Sequence, residues 1–312
     1  MSADPVDPSP AEAPSAQRPE PRTDPRSDVR TEQRPRRRRR AASVLPTLMT
    51  LGNVICGFAA IHYAAKEMHE TAFGFSTLSF AGGLVFLGMF FDAIDGTVAR
   101  LTRSTSAMGA QLDSLADVIT FGVAPAFMTL RLVSHYYGPA EGHTLLGPAD
   151  NAYAKVLWAI AAFYVCCTAL RLARFNAEVR SEKKEDHLYF KGLPSPGAGG
   201  TVASLTLLHQ HLALVTWKDA LPAGFGATSS LIIPATTLLC ALAMVGKVRY
   251  PHFVNRYLKG RKPLAGVAAA VAVVLLSVWW FHEALALALT GYALSGPVGM
   301  LARRRPAAEA GQ

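Results

Sequence analysis

From residue 44 onward the chain is a succession of apolar runs separated by short polar or Gly/Pro-rich breaks. Each run is about 20 residues long, enough for a helix to cross a hydrocarbon layer about 30 Å thick. The runs fall near 44–65, 73–99, 108–135, 154–175, 194–215, 226–246, 263–281 and 283–301. Only the tight reversal "WWFHEAL" separates the last two. The pattern predicts an all-α, polytopic transmembrane helical bundle of about eight spans, and at least six. Pro125, inside the third run, predicts a kink rather than a ligand position.

Residues 1–43 break this pattern. The first forty hold eight of the chain's twenty prolines, are dense in Ser, Asp, Glu and Arg, and end in "RPRRRRR". Such a stretch cannot bury a core, so it predicts a disordered N-terminal tail ahead of a membrane domain at 44–302, with a short C-terminal tail at 303–312. Without a signal-peptide core in the first thirty residues, the first apolar run is expected to remain as a span.

A net charge of +9 raises the question of nucleic acid. The placement of the charges answers it. Arg34 to Arg40, Arg100, Arg103, Arg171, Arg174, Arg180, Lys183, Lys184 and Lys191 fall at alternate span ends, as do Lys247 to Lys262 and Arg303 to Arg305. The opposite connections hold little beyond Lys66, Arg131, Lys155 and Lys218. By the positive-inside rule this predicts a multi-pass cell-membrane protein with both termini on the cytoplasmic side. The Arg run then reads as a topology signal and an anchor for anionic lipids, not as a nucleic-acid arm. Cys56, Cys166, Cys167 and Cys240 lie inside apolar runs without metal-ligand spacing and read as small hydrophobes.

One stretch sets candidate chemistry inside this apolar frame. "FFDAIDGTVARLTRSTSAMGAQLDSLAD" places Asp92, Asp95, Asp113 and Asp117 between hydrophobic runs, where ionised carboxylates are costly and by default functional. Asp92 and Asp95 are three positions apart and Asp113 and Asp117 four, so each pair shares one helical face. Gly96 and the polar segment between the pairs permit a helix-turn-helix return that brings the faces together. Four converging carboxylates repel unless cations stand between them, and hard oxygen ligands suit Mg²⁺ or Mn²⁺, with a two-ion centre the simplest arrangement. A structural reading stands beside this: Asp113 as a helix cap, and Asp92 and Asp95 paired with Arg100 and Arg103. Helical spacing of all four acids favours a site.

The order Asp92-x2-Asp95-Gly96-x2-Ala99-Arg100-x8-Gly109-x3-Asp113-x3-Asp117 resembles the signature of the CDP-alcohol phosphotransferase family at all eight fixed positions. At ordinary residue frequencies a chance match is on the order of one in 10¹⁰ per starting point. The resemblance implies an integral membrane enzyme in which Asp92, Asp95 and Asp113 ligate metal, and Asp117 ligates and also acts as general base. It further implies that Gly96 and Gly109 let a nucleotide approach the backbone, that Ala99 lets helices close around it, and that Arg100 contacts the diphosphate. Ser106 would stand near a phosphate, and a homodimer is the implied assembly.

Two further stretches, "LPTLMTLGNVICGFAAI" and "RLARFNAEV…YFKGLPSPGAGG", resemble the phosphatidylserine synthase branch of that family. The implied substrates are CDP-diacylglycerol and L-serine. Thr47 departs from the branch, which commonly has Asn after "LP", and is given no role; Asn53 matches and would border the nucleotide. Arg171 and Arg174, one turn apart, could bind the serine carboxylate or the donor phosphates, or simply mark an inside end. "GLPSPGAGG" is equally explained as turn punctuation plus small residues for helix packing. His209 and His211 are expected near the opposite membrane face. Glycerol 3-phosphate or an inositol phosphate is the alternative acceptor, and a cation or proton pathway the alternative class of function, though acids gathered at one end suit it poorly.

Overall fold

A computed structural model describes residues 33–67, 71–72, 74–102, 107–137, 147, 151–180, 189–217, 220–246, 249–251 and 280–304; for 33–45, 99–102, 107, 178–180, 189–191, 249–251 and 301–304 it describes the backbone alone. Among the described residues the α-helices are α1 (Gln33–Ala65), α2 (Thr77–Thr102), α3 (Ala107–Asp117), α4 (Ala124–Tyr137), α5 (Ala152–Arg180), α6 (Ser195–His211), α7 (Phe225–Val245) and α8 (Phe281–Arg304). Among the described residues five stretches, Pro46–Ala65, Thr77–Val98, Met108–Tyr137, Ala152–Ala177 and Phe225–Val245, are long and apolar enough to cross a membrane. The protein is thus a multi-pass membrane helical bundle, with α6 and α8 as further helices. The run expected at 263–281 lies almost wholly outside the described residues. α1 starts at Gln33, ahead of the first apolar residues; Arg, Gln and Ala are good helix formers, so the helix extends back from its apolar part.

The third run leaves regular α-helical geometry just ahead of its proline. α3 and α4 are joined by a wider π turn, Val118–Val123. Pro125 has no amide hydrogen to return to the Phe121 carbonyl four residues earlier. Tyr164 of α5, fully buried, donates its hydroxyl to that oxygen at 2.9 Å. A proline defect is thereby repaired by a neighbouring helix, as the apolar surroundings demand.

Small residues set how closely the helices approach. Thr120, in the π turn, is wedged between Gly57 of α1 and Gly88 of α2, and its hydroxyl donates to the carbonyl of Asn53 at 2.9 Å. A methyl group on Gly57 would stand 2.9 Å from the Thr120 Cα, closer than packed atoms tolerate. Gly57→Ala is therefore expected to destabilise the bundle by about 1–3 kcal/mol, read as a lower melting temperature of the detergent-solubilised protein. Gly199 of α6 likewise faces the Phe121 backbone and Gly200 the end of Met89. This bears out the helix-packing reading of "GAGG".

α6 packs against α2, α4, α5, α7 and α8. Because protein covers it, its buried face carries Ser195, Thr201, Ser204, Thr206, His209 and Gln210. The hydroxyls of Thr201, Ser204 and Thr206 return to carbonyls of the preceding turn.

The far end of α6 is tied by polar contacts. Tyr136 and His209 share a 2.8 Å hydrogen bond, and Ser76 donates to Gln210 at 3.0 Å. Ser76 precedes α2 and Asp92 lies fifteen residues into it, so this end is about 22 Å from the acids along the helix. His209 and His211 are thus away from the Asp cluster, as expected. At the same end Arg131 donates through Nε and Nη2 to the Lys66 carbonyl at 3.3 and 3.1 Å, capping the end of α1.

Candidate active site

α2 carries Asp92 and Asp95 toward its C-terminal end, and α3 carries Asp113 and Asp117. One carboxylate oxygen from each of Asp92, Asp95 and Asp113 lies within 4.8 Å of the others. Asp95 is buried, and Asp92 and Asp113 are half-buried. The Asp113 Oδ1 is closed off from solvent and has no hydrogen-bond partner among the described residues. A buried anionic oxygen without a partner is costly, and three such groups gathered together repel one another. The donor set fits a hard divalent cation, whose charge would offset both costs.

Asp117 stands apart from this trio while remaining within electrostatic reach of it. It is buried, and Asn53 Nδ2 donates to its Oδ1 at 3.2 Å. Asn53 is itself wholly buried, its backbone carbonyl held by Thr120. The "TLGN" asparagine thus belongs to the acid cluster, through the side chain of one Asp.

Thr50 is a residue that the sequence left unassigned. Its hydroxyl lies 2.8 Å from Asp95 Oδ2 and 3.0 Å from the Pro46 carbonyl, and its one proton can serve either. Its signal was the spacing to Asn53: two polar residues three positions apart on an apolar helix place one polar edge toward α2 and α3. Groups that orient a metal ligand typically affect metal affinity by about 10–100-fold, so Thr50→Val is expected to raise the half-saturating divalent-cation concentration about tenfold. A metal titration of turnover checks this.

Around the acids, a methyl group on Gly96 would meet nothing within 4 Å, so its backbone borders open space. Gly109 lies on α3. Ser106 and the side chains of Ala99 and Arg100 lie outside the described residues. The C-terminal part of α5 forms another wall: Asn176 donates to the hydroxyl of Ser114 at 2.8 Å. The two arginines expected to share a face diverge. Arg171 turns inward, its Nη1 donating to Ser195 at 3.1 Å, while Arg174 is exposed. The inward line of α5 through Tyr164, Thr168 and Leu172 explains the difference, since Arg171 borders that line and Arg174 falls beyond it. The cysteines form no disulfide, and all but Cys166 are buried.

A helical membrane bundle with clustered acids at the ends of two consecutive helices defines a class of integral membrane proteins built around an acidic centre. The chain belongs to the CDP-alcohol phosphatidyltransferase family, whose sequence model matches residues 43–245. It is 32% identical over 210 residues to a CDP-diacylglycerol--serine O-phosphatidyltransferase of Helicobacter pylori (strain J99), covering 67% of this chain and 73% of that protein. It is 31% identical over 209 residues to the protein so named in Bacillus subtilis, covering 67% and 90%. Over 116 residues it is 39% identical to the protein so named in Saccharomyces cerevisiae, covering 36% of each.

Proposed function

We propose that the protein transfers the phosphatidyl group from CDP-diacylglycerol to the hydroxyl of L-serine, giving phosphatidylserine and CMP. The observation that carries this reading is the convergence of Asp92, Asp95 and Asp113 beside Asp117, in the family's spacing, within an apolar bundle. The names of the bacterial and yeast relatives support serine as the acceptor.

In this reading Asp92, Asp95 and Asp113 hold divalent cation, Mg²⁺ or Mn²⁺, with Asp117 completing a two-ion set. A metal held there would neutralise charge growing on the departing CMP phosphate. Arg100 adds a fixed donor to the diphosphate, and Ser106, Gly109, Gly96 and Ala99 border the nucleotide closely. Asn53 holds Asp117 toward the acceptor. Asp117 removes the proton from the serine hydroxyl as its oxygen bonds to the phosphorus attached to the diacylglycerol oxygen. The bond from that phosphorus to CMP breaks, and CMP leaves.

The acyl chains stay in the bilayer while the headgroup enters at the acidic end. The distribution of Arg and Lys supports a cytoplasmic position for that end and for both termini, with the N-terminal Arg run drawn to anionic lipids. The test is acceptor choice. Purified protein in nanodiscs receives CDP-diacylglycerol with L-serine, glycerol 3-phosphate or an inositol phosphate in turn. CMP release and phosphatidylserine formation with serine alone are expected; CMP release confined to a phosphorylated acceptor would reassign the activity.

A further inference from the structure

The segment "KGLPSPGAGG" has so far served turn and packing roles, yet it also fixes one side chain beside the acids. Gly192 adopts a left-handed φ of 92°, and a Cβ there would collide with the Met244 carbonyl. Leu193, fully buried, donates its amide to the Ala243 carbonyl at 3.0 Å, locking the segment to the end of α7. Pro194 then holds extended backbone (φ −60°, ψ 140°), and Ser195 opens α6 with no exposed surface.

The hydroxyl so fixed accepts from Arg171 Nη1 at 3.1 Å. Arg171 Nε is closed off from solvent and has no hydrogen-bond partner among the described residues. A buried donor of this kind is costly unless something accepts from it. Nε and Nη2 form the side-on fork of a guanidinium, the edge that matches two oxygens of one anion. Ser195 takes the other nitrogen, so the fork is left whole. Arg171 lies within electrostatic reach of Asp117 and of Tyr292 of α8. Tyr292 in turn packs against Gly197, where a Cβ would lie 3.2 Å from its ring.

Resting on the phosphatidyl-transfer reading, we propose that Ser195 is a positioning residue that aims the Nε–Nη2 fork of Arg171 at a two-oxygen anionic group of a substrate. Two groups share that chemistry: the carboxylate of the amino-acid acceptor and a phosphate of the lipid donor. Removing the hydroxyl frees the guanidinium to rotate, so the anion is held less well while the proton transfer at Asp117 is left in place. The expected signature is a change in KM and not in kcat.

The experiment uses the full chain in nanodiscs with Mg²⁺ or Mn²⁺, following CMP release. Serine is varied at saturating CDP-diacylglycerol, then CDP-diacylglycerol at saturating serine. Ser195→Ala is expected to raise one KM about tenfold, the loss of about one charge-assisted hydrogen bond, with kcat near the wild-type value. A rise for serine assigns the fork to the carboxylate; a rise for CDP-diacylglycerol assigns it to a phosphate. Ser195→Thr, which keeps the hydroxyl, is expected to restore that KM. In an Arg171→Lys background, Ser195→Ala is expected to add almost nothing, because its effect runs through the guanidinium.

Unchanged KM values for both substrates in Ser195→Ala would overturn the proposal. So would a double variant in which the two effects simply multiply. Should Ser195→Ala melt too early for kinetics, Ser195→Cys carries the same test, with a KM rise supporting the proposal and unchanged KM values overturning it. Wild-type protein that releases no CMP with serine would sink the underlying reading and this inference with it. A fully active wild type beside an indistinguishable Ser195→Ala sinks the inference alone.

Discussion

Asp117→Asn is expected to lower turnover by about 10²–10⁴-fold, the range associated with loss of a positioned general base. The substitution keeps the size of the side chain and an oxygen able to accept from Asn53 Nδ2, so the packing of Thr120 between Gly57 and Gly88 need not change. What it removes is the group able to take a proton from the acceptor hydroxyl. Binding of CDP-diacylglycerol should largely survive, because Asp92, Asp95 and Asp113 remain gathered without it. Equilibrium binding of the lipid nucleotide, set beside single-turnover CMP release, separates the two effects. A variant with normal turnover would remove Asp117 from the role of base.

Withdrawal of divalent cation has an effect of similar size. Chelation is expected to abolish CMP release, and added Mg²⁺ or Mn²⁺ to restore it. Asp95→Asn should behave in the same direction for a structural reason: Asp95 is the most buried of the trio and is held by Thr50, so it is the ligand with the least freedom to be replaced by water. Loss of several kcal/mol of charge stabilisation at the departing phosphate corresponds to about 10³-fold in rate. Thr50→Val, which leaves the ligand but loosens it, should be rescued by more metal, whereas Asp95→Asn should be rescued poorly. That contrast distinguishes a weakened ligand from a missing one.

The acids were legible in the sequence because their cost in an apolar run makes them conspicuous, and their spacing of three and four positions states which face each occupies. The lipid-facing helices were legible for the same reason, read in reverse. α6 is harder: enclosed by other helices, it needs small and hydroxyl-bearing residues for close approach, which weakens the hydrophobic signal by which spans are found. Its core position emerges only when Gly199 is seen against Phe121 and Gly200 against Met89.

Partners distant in sequence were the least visible. Nothing local announces that Tyr164 will serve the carbonyl released by Pro125, or that Ser195 will hold Arg171, although each residue is ordinary for its own helix. Arg171 and Arg174 show the limit of spacing arguments. Residues a turn apart are displaced around the helix, and Arg174 falls outside the buried line that Arg171 borders. Thr50 was within reach of the sequence, three positions before Asn53, but its partner Asp95 on another helix was not.

The central claim is that Asp92, Asp95 and Asp113 jointly hold a divalent cation at the end of α2 and α3. Electron paramagnetic resonance of Mn²⁺ added to the purified full chain tests it without any assumption about the substrate. The account expects saturable Mn²⁺ binding to the wild type, displaced by Mg²⁺ and lost in the Asp92→Asn, Asp95→Asn, Asp113→Asn triple variant that still melts cooperatively. Binding of equal strength and stoichiometry in that folded triple variant would contradict it.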